Sequence, residues 1–98
     1  MDIKLNQFTP DSNWIMGTFD EYEFQAKHFD EPSYYHYGIN DGRTSKLWVS
    51  LDDELVMRYD RGWDVKPQTE EEIAICKTLV CYLEDLPTRF EIEIELSL

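Results

Sequence analysis

Residues 46–59 read KLWVSLDDELVMRY, and this stretch constrains the fold more than any other. Leu47, Val49 and Leu51 alternate with Trp48 and Ser50, and Leu55, Met57 and Tyr59 alternate with Val56 and Arg58. Only Asp52 and Asp53 lie between the two runs, which is too short a connection for anything except an antiparallel hairpin. One hairpin commits the chain to an antiparallel sheet with one apolar face, and that face needs a cover.

Other segments extend the sheet. In residues 14–27, Trp14, Met16 and Thr18 alternate with Ile15, Gly17 and Phe19, and Tyr22, Phe24 and Ala26 alternate with Glu23, Gln25 and Lys27. These predict a hairpin that turns at Asp20 and Glu21. Ile3 to Phe8 predicts a short edge strand before Pro10. Residues 30–45 carry Pro, Ser, Asn, Asp and two Gly, the composition of a long loop ending in a tight turn at Asn40, Asp41 and Gly42.

The cover is predicted at Thr69. Thr69 with Glu72 fits a capping box, and Glu70 and Glu71 sit where the helix dipole favours negative charge. Ile73, Cys76, Val80 and Leu83 then fall within about 80° of one another at helical spacing, with Leu79 beside them, and Pro87 ends the helix. In RFEIEIELSL, Phe90, Ile92, Ile94, Leu96 and Leu98 alternate with Glu91, Glu93 and Glu95, predicting a last strand. The expected architecture is an α+β domain of order ββββαβ, an antiparallel sheet of about four to six strands with one helix packed on a face. Residues 1–98 form a single domain, since 98 residues support only one small core.

Charge narrows the partners. Twenty-one acids against nine bases give a formal net charge of −12, which disfavours direct binding to nucleic acid or an anionic membrane and favours a basic protein. The acids concentrate late: residues 69–98 hold Glu70, Glu71, Glu72, Glu84, Asp85, Glu91, Glu93 and Glu95 against Lys77 and Arg89. Alternate strand residues are about 6.6 Å apart, so neighbouring carboxylates in the Glu91, Glu93, Glu95 ladder repel by roughly 0.6 kcal/mol even in water. A partner's Lys or Arg relieves that repulsion. The expected contact surface is this ladder with Glu70, Glu71, Glu84 and Asp85 at the helix ends.

Catalysis finds little support. His28 falls on a strand and His36 in the aromatic loop with Tyr34, Tyr35 and Tyr37; no GxSxG, HExxH or Gly-rich phosphate loop occurs. His28, Asp30, Glu31 and His36 match no strong metal spacing, so no enzyme activity, cofactor or metal is expected. Cys76 and Cys81, five apart, are about 140° apart around a helix and form neither a disulfide nor a CxxC pair. With no apolar run suited to a signal peptide or membrane span, the cytosol is the expected compartment, with the protein a monomer or weak homodimer. In YDRGWD, Arg61 between Asp60 and Asp64 predicts an ion pair, Gly62 a turn, and Trp63 an aromatic plug. Together they read as a strand-to-helix corner.

YGINDGRTSKLWV and YDRGWD, with WIMGTFDEYEFQAKHFDEPS, resemble a family of small, largely uncharacterised domains from Gram-positive bacteria, their phages and other mobile elements. In that family a GI-x-x-GR-x-SKL stretch precedes YDRGWD; the resemblance covers residues 13–67 and leaves the helix and last strand outside. It implies a mobile-element origin. Small acidic proteins from that setting include anti-CRISPR proteins, some of which resemble nucleic acid in charge and block the basic guide-RNA or PAM channel of a Cas9-type nuclease. The leading expectation is therefore a non-enzymatic inhibitor of a basic nucleic-acid-handling protein. The alternatives are an immunity or antitoxin protein against a basic nuclease toxin, and a housekeeping domain with a small-ligand pocket around Tyr34, His36 and Trp63.

Overall fold

The structure is a computed structural model and describes residues 2–9, 13–32 and 38–87. Among these residues the chain forms six strands and one α-helix: β1 (Ile3–Thr9), β2 (Trp14–Phe19), β3 (Tyr22–His28), β4 (Thr44–Leu51), β5 (Glu54–Asp60), β6 (Trp63–Val65) and α1 (Glu70–Glu84). The strands lie in one antiparallel sheet in chain order, β1 to β6, and α1 packs on one face, an α+β arrangement.

Turn chemistry sets this meander. Asp52 and Asp53 both take left-handed φ values, 52° and 66°, the geometry of a two-residue hairpin turn whose twist matches its strands. Asp20 has φ 51°. Aspartate enters this region at lower cost than most residues. The strand of three residues, β6, was not expected; it follows a turn in which Arg61 (φ 59°) and Gly62 (φ 155°) reverse the chain and the Asp60 N–H donates to the Gly62 carbonyl at 2.8 Å.

One face of the sheet supplies Ile15, Phe19, Phe24, Ala26, Leu47, Val49 and Met57 to the core, all at 2% exposure or less. The helix closes it with Ile75, Cys76, Leu79 and Leu83. Two sequence expectations shift here. Ile73 is 38% exposed, and Ile75 is buried in its place. At about 100° per residue, Ile75, Leu79, Leu83 and Cys76 span an arc of about 100°, with Val80 at its edge and Ile73 beyond it. Leu55 was expected to face the core with Met57. Instead Val49 pairs with Met57 and Ser50 with Leu55, so Val56 is an extra residue and the alternation slips by one. Leu55 lands on the opposite, open face at 47% exposure.

The helix starts as its sequence predicts. The Thr69 hydroxyl accepts from the Glu72 N–H at 3.0 Å, and Glu72 Oε1 accepts from the Gln68 and Thr69 N–H groups at 2.8 and 3.4 Å. The expected strand over Phe90 to Leu98 lies outside the described residues, so the described order is six strands followed by the helix.

Candidate functional site

Strand parity decides where the charged turns go. In this meander the β2–β3 and β4–β5 turns and the start of β1 lie at the same end of the sheet. Asp2, Asp20, Glu21, Asp52, Asp53 and Glu54 therefore gather there. The helix begins at this end too, because the Tyr22 hydroxyl donates to Glu71 Oε1 at 3.2 Å while Tyr22 pairs with Leu51 in the sheet. The Tyr22 phenol is pushed above its ordinary range by burial first, then by the Glu71 carboxylate and hydrogen bond, then by Glu21 and Glu72. Glu70 and Glu71, both exposed, thus join the turn acids in one anionic end. Lys4, at this end, pairs with Asp2 at 3.6 Å.

The opposite end is a clasp. The last carbonyls of an α-helix have no partners within the helix, and the last turn of α1 holds no basic residue. Arg43 fills both roles from a distance. Its Nη1 donates to the carbonyls of Glu84 (3.0 Å) and Leu86 (2.6 Å), Nη2 to Pro87 (3.3 Å), and Nε to Phe29 (2.8 Å). Its backbone N–H donates to both oxygens of the Glu84 carboxylate at 2.9 Å, and the Thr44 hydroxyl reaches Glu84 Oε2 at 3.4 Å. The Thr44 oxygen also lies 2.9 Å from Nδ1 of His28, which is 1% exposed. Burial and then the Arg43 charge lower the His28 pKa to about 4, against a raising influence from Asp30.

The GI-x-x-GR-x-SKL residues build this clasp. A Cβ on Gly38 would meet the Gly42 carbonyl oxygen at 2.0 Å, and one on Gly42 would meet the Glu84 carboxylate at 2.5 Å. Ile39, Ser45 and Leu47 are buried, and Lys46 pairs with Asp60 at 3.4 Å. Gly38→Ala strikes fixed backbone, whereas the carboxylate facing Gly42 is the end of a side chain. We expect Gly38→Ala to cost about 2–3 kcal/mol and Gly42→Ala less, measured by urea unfolding.

YDRGWD is a hairpin turn into β6 and not a direct strand-to-helix corner. Arg58 reaches both of its acids, Asp60 at 3.3 Å and Asp64 at 3.6 Å. The position of Arg61 between the two acids points to it for that role, but Arg58 lies two positions before Asp60 and therefore on the same face of β5. Arg61 instead occupies the turn, where its N–H donates to the Ser45 carbonyl at 2.9 Å. Trp63 is half-buried and meets Tyr59 edge-on at 5.2 Å.

The expected contact acids separate. Glu70 and Glu71 stand at the anionic end; Glu84 and Asp85 lie about 20 Å away along the 15-residue helix. The Glu84 carboxylate is half-buried and engaged by Arg43, while Asp85 is exposed. Glu91, Glu93 and Glu95 lie outside the described residues, as do Tyr34, Tyr35, His36 and Tyr37. Among the described residues no three His, Cys, Asp or Glu side chains are grouped to hold a metal ion, and no helix is long and apolar enough to cross a membrane. Cys76 is buried, which raises its thiol pKa, and Cys81 is exposed. The gathering of turn acids was legible in outline, since two acidic two-residue turns separated by two strands must share an end.

A meander sheet, a helix tied back through a Gly-Arg clasp and acids collected at the far end define a small α+β domain with one anionic pole. The chain belongs to the family described as a domain of unknown function, DUF7678, whose match spans residues 13–84. That match runs from β2 through α1, so the helix is part of the family's domain, beyond residues 13–67 where the motifs placed the resemblance. No curated protein and no solved structure matches the chain.

Proposed function

We propose that this protein is a non-enzymatic inhibitor that docks its anionic pole on a basic nucleic-acid-handling protein, in the manner of an anti-CRISPR protein occupying the guide-RNA or DNA channel of a Cas9-type nuclease. The observation that carries this reading is the meander's gathering of Asp20, Glu21, Asp52, Asp53, Glu70 and Glu71 at one end. Such a surface is steered toward a Lys- and Arg-rich channel, with an association rate that falls as salt rises. The mobile-element setting suggested by the sequence motifs fits this role, as does a cytosolic location. Glu91, Glu93 and Glu95 add negative charge to the same chain.

The test is titration of the purified protein into a Cas9-type nuclease, with guide-RNA loading and DNA cleavage as readouts. Saturating protein is expected to abolish one of the two. The combined variant Asp52→Asn, Asp53→Asn, Glu70→Gln, Glu71→Gln keeps residues that tolerate the turn conformation and is expected to weaken binding by more than about tenfold at low salt, since each rim charge contributes a few tenths to 1 kcal/mol. Unimpaired loading and cleavage would rule out the Cas9-type target. Undiminished affinity in that variant would move the contact off the anionic pole, with Glu91, Glu93 and Glu95 changed to Gln as the next arm.

A further inference from the structure

Among the described residues, the sheet face opposite α1 carries a hollow of about 410 Å³, floored by β2 to β4 and bordered by β1 and β5, a volume within the range of ligand-binding clefts. Its apolar walls are Met16, Trp48 and Leu55, and its polar groups include Glu23, Gln25 and Ser50. Three features of it are unusual together. Leu55 is there because the extra residue Val56 turns it out of the core, and bulges are a common device for re-aiming a side chain. Glu23 lies in register between Thr18 and Ser50, and among the described residues no cation pairs with it. Lys4, level with it in the register, is two strands away and engaged with Asp2. The hollow also borders the anionic pole, since Glu23 is one residue inside the β3 start at the Asp20–Glu21 turn.

An apolar slot ending at a carboxylate in a negative field suits a side chain with an alkyl stem and a cationic head. Trp48 already takes one guanidinium, from Arg58, whose Cζ lies 5.4 Å from the ring centre. We propose that this hollow receives one Arg or Lys side chain of the basic partner, its stem against Met16, Trp48 and Leu55 and its charge on Glu23. This rests on the reading of the protein as a binder of a basic partner, and it names the point where that partner is gripped rather than merely attracted.

The test uses isotope-labelled full-length protein and two probes, acetyl-Gly-Arg-Gly-amide and a nona-arginine peptide, followed by NMR. The single-arginine probe is expected to shift the amides of Glu23, Ser50 and Leu55 and the indole N–H of Trp48. Its Gln counterpart should leave them in place. Glu23→Gln and Leu55→Ser, both at exposed positions, should each weaken that binding by about fivefold, while Glu21→Gln, the same charge change outside the hollow, should weaken it by less than about twofold. The variants' own spectra verify that they remain folded. Shifts confined to the turns, no shifts at all, or equal losses for Glu21→Gln and Glu23→Gln would overturn the hollow as the site. If nona-arginine binding then falls only when the turn acids are neutralised, the hollow is wrong and the anionic pole stands. If nona-arginine does not bind, both fail.

Discussion

Replacing Arg43 by Ala is expected to destabilise the domain by about 3–4 kcal/mol, seen as a lower urea midpoint and a fall of more than about 12 °C in melting temperature. The guanidinium donates to four backbone carbonyls on two segments, three of them at the end of the helix. Removing it strands the Glu84 carbonyl, unpaired by the geometry of any helix end, together with the Leu86 and Pro87 carbonyls just beyond it, and removes the cation that offsets the helix dipole. A small domain holds only several kcal/mol in reserve, so the loss is a large fraction of the total. Arg43→Lys should recover less than half, because one ammonium cannot reach the positions a planar fork reaches. Amide exchange in the last turn of α1 should accelerate more than in its first turn, which keeps its capping box. A loss below about 1 kcal/mol for Arg43→Ala would mean that the clasp does not hold the helix.

The second large effect follows pH. His28 is neutral and buried, with a folded pKa of about 4 against an ordinary 6.5. Below pH 6.5 the unfolded chain takes up a proton at this residue that the folded chain refuses, so stability is complete above 6.5 and is lost as pH falls through 4. The shift corresponds to about 3 kcal/mol over that window. Carboxylates also titrate there, and neutralising part of a −12 charge acts in the opposite direction. The informative quantity is therefore the difference between the wild type and His28→Asn, unfolded in urea at pH 7.5 and pH 4.5. His28→Asn is expected to be less stable than the wild type at pH 7.5 because it leaves Thr44 and the sheet end poorly packed, with the gap narrowing by about 2–3 kcal/mol at pH 4.5. A gap independent of pH would show that His28 takes up its proton as readily in the folded state as in the unfolded chain.

Both effects meet at one place that the sequence named only as a motif. GI-x-x-GR-x-SKL invites a search for a ligand, because Gly next to a basic residue is a common way to bring a backbone close to something. Here the object approached is the chain's own helix: Glu84 fills the space over Gly42, and Arg43 holds the carbonyls behind it. The helix end offered a second sign, since its last turn has no Lys or Arg and a cation brought there from elsewhere is stabilising. Those two signals, a motif arginine with no assigned ligand and a helix end with no cation, are the only traces of the Arg43–α1 link that the sequence carries.

The hairpins, the capping box and the antiparallel sheet were written locally, in alternation, two-residue acidic turns and a Thr–Glu spacing, because these depend on residues within a few positions of one another. Leu55 and Ile73 were misplaced because a bulge and the roll of a helix depend on what lies across the interface, and neither leaves a mark on periodicity. Strand parity is intermediate: it follows from the turns, yet its consequence, that acids from four separate segments meet at one pole, exists only once the strands are laid side by side. The sequence by itself determined the two hairpins, the edge strand and the start of the helix, but not β6. Only the tertiary structure decided that Arg43 closes the helix, that Glu84 faces inward and that Glu70 and Glu71 join the turn acids, because charges far apart along the chain acquire a common address through packing alone.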